Sequence, residues 1–440
     1  MKKFNALSHT RGYWDETCMT LSPFLWLPSV RTLDSLNYES ENLDSLSAIN
    51  NSWFESEFHS LPYSAYYNAK ESEPHEVLRS RKIRIYPDSK QQDILNQWLG
   101  TARYVFNRTL EFLTRGNNPD WLEIKRWLLK DLPDWAQNVP YQIKSVAVRD
   151  ACISYKQTSA NNNSANFRAR RDARQTLYIP KSSVGKRGIY SHFLGKMTHA
   201  ENIPVPEGDC RLTYEAGRWF ICVPVKISIA SDKQGRAVSL DPGIRNFMTF
   251  YSLDSCGKIG RNAFSKICSL CVYLDDLYNR MNLANHRQRA KMKKAYNRLY
   301  WRIMNLTEEL TRKAALFIVK NFDVIALPEF NADMTEKFYS RTMREMLTRA
   351  HSEFQDFIRA KAEQYGRKII AQNEDWTSQT CSWNGEIKSP GKFIRDGNIT
   401  LDRDYNGARG IFLRALRESA IPPPVSVQGV QRLKGVSQAK

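Results

Sequence analysis

Hydrophobic and polar positions change period several times along this chain, and each change predicts an element. Val238 and Leu240 alternate with Ser239 and Asp241, the period of a half-buried strand. Pro242 pushes Asp241 away from the helical region, so its carboxylate is expected at an extended strand end. Gly243 allows a sharp turn, and Phe247 to Ser252 reads as a second strand. Arg218-Trp-Phe-Ile-Cys-Val-Pro-Val alternates as cleanly, 210–214 is another short strand, and Arg81-Lys-Ile-Arg-Ile-Tyr-Pro interleaves basic with apolar side chains. Phe322-Asp-Val-Ile-Ala-Leu-Pro-Glu reads as a buried strand ending in Glu329, and 368–372 as a further strand.

Helical spacing fills the intervals. Asp88 or Ser89 caps a helix whose buried stripe is Leu95, Trp98, Leu99, Ala102, Val105 and Phe106. More helical segments run to about residue 157. A long helical region spans about 260–321, with Tyr296, Leu299, Tyr300 and Ile303 as its core stripe, and another helix covers about 340–365. Asp402 and Asp404 begin a last helix with the stripe Ala408, Ile411, Phe412 and Leu416; acidic residues there also complement a helix dipole. Residues 1–78 lack periodicity, but Phe24-Leu-Trp-Leu and Trp53-Phe54 are apolar islands. They read as an extension that packs on the body or is partly flexible. The tail from 419, with Pro422-Pro-Pro, is expected to be disordered.

At 440 residues the chain has length for two to four domains, and no apolar run approaches the ~20 residues of a membrane span. The N-terminus lacks a secretory core. Eight cysteines make no disulfide framework, so a reducing, intracellular compartment is expected. Charge changes the picture more. The net charge is +19, yet residues 1–77 carry five Lys/Arg against eleven Asp/Glu, leaving about +25 on the remainder. Such an excess points to a polyanion, most commonly nucleic acid. Candidate contacts are Arg81 and Arg84; Arg168, Arg170, Arg171, Arg174, Lys186 and Arg187, interleaved with Phe167, Tyr178 and Tyr190; and Arg287, Lys291, Lys294 and Arg298 on the long helix. Cations hold phosphates and flat rings stack on unpaired bases. A solvated charged surface has the same composition.

Asp241, Glu329 and Asp404 stand out as acidic residues at element ends, 88 and 75 residues apart. Singly each is ordinary, and Asp-Pro-Gly is common turn chemistry. As an ordered set the motifs Ser239-Leu-Asp-Pro-Gly-Ile-Arg, Ile325-Ala-Leu-Pro-Glu-Phe and Asp402-Arg-Asp-Tyr-Asn-Gly-Ala-Arg resemble the split RuvC-like nuclease of the transposon-encoded TnpB/Fanzor family. The Leu-Asp-Pro-Gly form and the extension place the resemblance closest to the Fanzor branch. It covers roughly 80–418, and also takes in Arg81 to Leu113, Val139 to Tyr155 and Ile179-Pro-Lys.

The resemblance implies an α+β fold: an RNase H-like (RuvC) nuclease domain preceded by a small β-barrel carrying a helical insertion. The implied layout is an acidic extension at 1–78, barrel segments at 79–93 and 175–230, and a helical insertion at 94–174. Nuclease segments follow at 231–375 and 400–418, around an insert at 376–399, then the tail at 419–440. The implied activity is RNA-guided DNA cleavage, with Asp241, Glu329 and Asp404 as catalytic residues and ligands of two Mg²⁺ ions. Asp402 matches a recurrent residue but not the catalytic position. Implied partners are a noncoding guide RNA and double-stranded target DNA in a monomeric ribonucleoprotein, without a membrane. The expected location is the nucleus for a eukaryotic or viral protein and the cytoplasm otherwise.

One departure stands out. The family carries a zinc ribbon of two Cys-x-x-Cys pairs between its second and third motifs. Here Thr377-Ser-Gln-Thr-Cys-Ser-Trp opens correctly, but Asn384 stands at the second ligand position and 392–400 holds no cysteine or histidine. Cys381 alone cannot hold zinc, so a metal-free or collapsed insert is expected. Cys268 and Cys271 read as buried core thiols. Two other classes stay open: a cleavage-impaired RNA-guided DNA-binding protein, and a guide-independent RNase H-like nuclease or transposase accessory protein.

Overall fold

A computed structural model describes residues 49, 52–61, 63–66, 76–161, 163–228, 235–328, 341–372, 379–388, 391–396, 399–417 and 426–429. It divides into two compact units, 75–228 and the remainder. In chain order the elements used below are β1 (Glu55–Ser60), β2 (Glu76–Tyr86), α1 (Ser89–Thr114), α2 (Trp121–Leu128), α3 (Asp134–Gln137) and α4 (Tyr141–Ala160). Then come β3 (Arg174–Ile179), β4 (Cys210–Glu215), β5 (Arg218–Ser228), β6 (Ala237–Pro242), β7 (Asn246–Tyr251) and β8 (Ser255–Arg261). The last are α5 (Ala263–Leu283), α6 (His286–Asn321), β9 (Val324–Pro328), α7 (Arg341–Gln364), β10 (Lys368–Gln372), β11 (Phe393–Asp396), β12 (Ile399–Asp402) and α8 (Arg403–Arg417).

The unit at 75–228 is an antiparallel sheet ordered β3-β4-β5-β2, with the two-residue strand Thr198–His199 beyond β2. Ile83 and Ile85 of β2 are buried as their alternation predicts. Asp88 caps α1: its carboxylate accepts from the Gln91 amide at 2.8 Å, and the Gln91 side chain accepts from the Asp88 amide at 3.0 Å. That reciprocal pair satisfies two N–H groups that a helix start leaves open. All six residues of the expected α1 stripe are buried. The basic stretch after 160 leads into β3, where Leu177 and Ile179 are buried and find a partner strand in β4.

The other unit is built on a mixed sheet, β1-β8-β7-β6-β9-β10. β6, β7 and β8 form an antiparallel meander, whereas β9 and β10 run parallel to β6. At the β6–β7 turn a Cβ on Gly243 would lie 2.8 Å from the Asn246 carbonyl oxygen, so the turn needs glycine there. The acidic extension supplies β1 as an edge strand against β8, with Phe58 tilted against Phe250 and Phe317 at 5.9 and 5.1 Å. β8 carries no strong alternating signal, and its pairing on both sides comes from the sheet. The long helical region is two helices, α5 and α6, separated where Asn285 caps α6 by accepting from the Gln288 amide at 3.0 Å. Ile303 is buried in α6, while Tyr296, Leu299 and Tyr300 are only half-buried.

The tail expected to be disordered instead contributes a strand, Ser426–Gly429, antiparallel to Tyr63–Tyr66. Four residues give too short a pattern to read alone; main-chain pairing with a distant segment supplies the order. No helix among the described residues is long and apolar enough to cross a membrane.

Candidate functional site

The C-terminal end of β6 holds Asp241, paired across the sheet with Thr249 of β7. The side of β6 away from β7 lies against β9 in the register Ala237↔Val324, Val238↔Ile325, Ser239↔Ala326. Both strands therefore run out at the same sheet edge, β6 past Asp241 and β9 at Pro328. Glu329, the residue after β9, lies outside the described residues. Two members of the expected triad are thus placed, and among the described residues no group of three His, Cys, Asp or Glu forms a metal cluster.

α8 brings Asp404 to the same sheet. Ser239 Oγ donates to the Ala408 carbonyl at 2.6 Å, fastening the second turn of α8 to β6. Asn246 Nδ2, at the start of β7, donates to Asp404 Oδ2 at 2.8 Å. The helix also packs an apolar face, including Ala408, Ile411 and Phe412, onto this sheet. Asp402 has a different part. Its Oδ1 accepts from the Asp404 amide at 2.9 Å, which caps α8, and its Oδ2 accepts from Lys258 Nζ at 2.7 Å. Lys258 also lies 4.7 Å over the Tyr405 ring. With both oxygens taken by the chain's own donors, Asp402 is a cap and an ion-pair partner.

A cavity of about 460 Å³ opens beside Asp404, lined by Asp402 and Glu57 and by Arg245, Lys258, Arg261, Lys392 and Arg403. Five cations around a carboxylate edge suit an anionic ligand approaching acidic groups. Glu57 belongs to the acidic extension; the His59 ring beside it at 2.7 Å, then Lys258 and Arg261, hold its carboxyl below the usual range.

The insert is tied to α8 rather than hanging from it. Asn406, fully buried, accepts from the Ser382 amide at 2.9 Å and donates to the Thr380 carbonyl at 2.8 Å. Arg409, also buried, donates to Ser382 Oγ at 2.9 Å. Cys381 is buried, which pushes its thiol up to about 11. Asn384, at the second expected ligand position, donates to Asp396 Oδ2 at 2.8 Å, as does Trp383 Nε1, and Lys388 reaches Asp396 Oδ1 at 2.8 Å. Cys271 is buried in α5 and Cys268 partly so, and burial raises both thiols, Cys271 to about 12.

The basic candidates divide. Arg287, Lys291, Lys294 and Arg298 are exposed on α6 at spacings of four, three and four, one continuous stripe. Arg170, Arg171, Arg174, Lys186 and Arg187 are exposed as well. Arg81 is ion-paired with Glu201, and Arg84 lies 4.8 Å over the Tyr86 ring. Arg168 is half-buried with its guanidinium 3.7 Å over Phe106. Tyr190 is buried edge-on to Trp98 at 5.2 Å, so its ring is committed to the core rather than to stacking on bases. Reading the sequence alone missed Asn246, Lys258, Asn406 and Arg409. A signal existed for the last two, since Asn406 and Arg409 interrupt an apolar helix face three residues apart.

Together these features define a mixed α/β protein with carboxylates at a sheet end, one of them beside a cation-lined cavity. Residues 77–115 match the IS605 OrfB family model described as "Helix-turn-helix domain", and residues 351–411 match "Cas12f1-like, TNB domain". The TnpB-like protein L79 of Acanthamoeba polyphaga mimivirus is 21% identical over 395 residues, 79% of this chain and 75% of that protein. A protein of Streptomyces pristinaespiralis named "Putative RNA-guided DNA endonuclease" is 23% identical over 400 residues, 83% of this chain and 96% of its own. Among solved structures, a cryo-EM Cas12f1–sgRNA–target DNA complex aligns with a TM-score of 0.45 at 12% identity, covering 76% of this chain and 98% of that one. The chain belongs to the TnpB-like, IS605 OrfB family.

Proposed function

We propose that this protein is an RNA-guided DNA endonuclease of a transposable element, cutting phosphodiester bonds with Asp241, Glu329 and Asp404. The observation that carries this is the joining of the first and third motifs on one sheet, through Ser239 to Ala408 and Asn246 to Asp404. The antiparallel meander followed by two strands parallel to β6 supports an RNase H-like reading. The sheet at 75–228, with its helices, takes the place of the barrel and its insertion. The Leu240-Asp-Pro-Gly form supports the Fanzor branch.

The donor set fits a hard divalent cation: three carboxylates, of which Asp241 stands on β6 and Asp404 in the first turn of α8, without sulfur or imidazole. Asp241 and Asp404, with Glu329, are the residues that would hold Mg²⁺, which when bound supplies water activation and charge neutralisation at the phosphate. Asn246 orients Asp404 from the side. Lys258 and Asp402 hold the first turn of α8, and Arg245, Arg261, Lys392 and Arg403 draw a polyanion toward it. The exposed stripe on α6 and the arginines at 170–187 suit the backbones of a guide RNA and of the RNA–DNA duplex, where pairing reads sequence and the protein reads shape. The insert works without zinc.

Protein purified from expressing cells is expected to carry one defined noncoding RNA and, with Mg²⁺, to cut DNA that the RNA matches. Asp241→Ala is expected to retain the RNA and lose cleavage. Absence of a defined RNA sinks the guided reading, and cleavage by Asp241→Ala sinks the site assignment. RNA-directed binding by the wild type without cleavage supports the cleavage-impaired alternative.

A further inference from the structure

In the unit at 75–228 a cavity of about 450 Å³ opens on α1, with Arg103, Tyr104, Asn107, Arg108, Trp135 and Phe167 among its lining. That volume lies within the ~300–1,000 Å³ of small-molecule sites. Two large rings stand at its walls with much of their surface in water: Phe167 is 57% and Trp135 47% exposed. The backbone beside each ring is held. Asn107 brackets the residue after Phe167, its Nδ2 donating to the Arg168 carbonyl and its Oδ1 accepting from the Arg168 amide, both at 2.9 Å. The Arg168 guanidinium lies on Phe106, so this loop is held by backbone and by side chain. Trp135 is fixed in a parallel way. Gln97 Nε2 donates to its carbonyl at 2.6 Å, and its ring meets Tyr104 edge-on at 5.5 Å.

α1 therefore clamps two segments by their main chains and leaves their rings at the cavity wall. Exposed rings carried on a held backbone at a cavity wall are suited to stacking on a ligand. The cations are held as well. Arg103 donates to Gln175 Oε1 at 3.0 Å and Arg108 pairs with Glu111 at 3.1 Å, each bond using one of five guanidinium N–H donors. We propose that this cavity takes one unpaired nucleotide of a single strand, its base against Phe167 and Trp135 and its phosphate on Arg103 and Arg108. The site shares no residue with the carboxylate site and stands whether or not the chain is a nuclease.

The test is fluorescence anisotropy of the full chain, freed of nucleic acid, with labelled five-nucleotide oligouridylate and oligothymidylate probes. Phe167→Ala is expected to weaken binding about five- to a hundredfold, with an unchanged melting temperature and salt slope. Phe167→Trp is expected to restore affinity, because any flat ring stacks. Arg108→Gln is expected to reduce the salt slope by about 0.7. A loss confined to the RNA probe assigns the slot to RNA, and one confined to DNA assigns it to DNA. Equal affinity of wild type and Phe167→Ala for both probes overturns the proposal, as does a loss that Phe167→Trp leaves in place. Asp241→Ala, measured alongside, is expected to bind both probes as the wild type does, so failure here is separable from failure of the nuclease reading.

Discussion

Asp396 and Asp404 lie close in sequence, and the fold treats their carboxylates in opposite ways. Asp396 accepts from Trp383, Asn384 and Lys388, all three supplied by the insert around it. Asp404 accepts from the neutral side chain of Asn246 and borders a cavity ringed by cations. Asp402, between them, is filled by Lys258 and by the α8 backbone. A carboxylate whose acceptors are used by the chain holds structure together, whereas one positioned by a neutral donor beside open space keeps capacity for a ligand. The insert illustrates the first use: Asn384, at an expected metal-ligand position, is bonded to a carboxylate instead.

The largest effect that sharpens this contrast is on cleavage. On the proposed nuclease reading, Asp404→Asn is expected to lower the rate of target cutting about a thousandfold, because it removes one of the charges that would hold Mg²⁺. Asp402→Asn is expected to cost about ten- to a hundredfold, because it acts through the position of α8. Equal losses in single-turnover kinetics would break the distinction.

Acid is the next probe. His351 is buried between Phe247 and Phe264, and burial lowers its pKa from 6.5 to about 4. The unfolded chain therefore binds a proton that the folded chain refuses between these values. Stability is lost as pH falls from 6.5 toward 4, by up to about 3 kcal/mol. Denaturant melts of His351→Phe are expected to show a flatter acid limb than the wild type.

The smallest effect is local to the insert. The Lys388 ammonium and then the Trp383 indole hold the Asp396 carboxyl below its usual range, so their contribution is present at neutral pH and lost in strong acid. Asp396→Ala is expected to speed proteolysis between 379 and 400 without moving the main melt. EDTA is expected to leave the wild-type pattern unchanged; faster cleavage after EDTA would show that a metal holds the insert.

Much of the fold was legible from pattern because its signals are local. The α1 stripe, the Asp88 cap and the alternation of β5 and β6 each depend on neighbours within a turn or a pleat. The β8 strand was not legible, since its residues become a strand only between β1 and β7. For the same reason the extension gave no sign that Glu55–Ser60 would close the sheet edge. The break between α5 and α6 rests on a single capping asparagine within continuous helical spacing.

The candidate site divides along the same line. Sequence by itself determined that Asp241 and Asp404 stand at element ends, because Pro242 and the helix start at Arg403 are local events. Only the tertiary structure decided that Asp404 is held by Asn246, that Asp402 is taken by Lys258, and that Asn406 and Arg409 bind the insert. Those partners lie 158, 144, 24 and 27 residues apart along the chain. Hydrogen bonds of that span carry no periodic trace in sequence, since they exist only once packed helices and strands have set the two ends side by side.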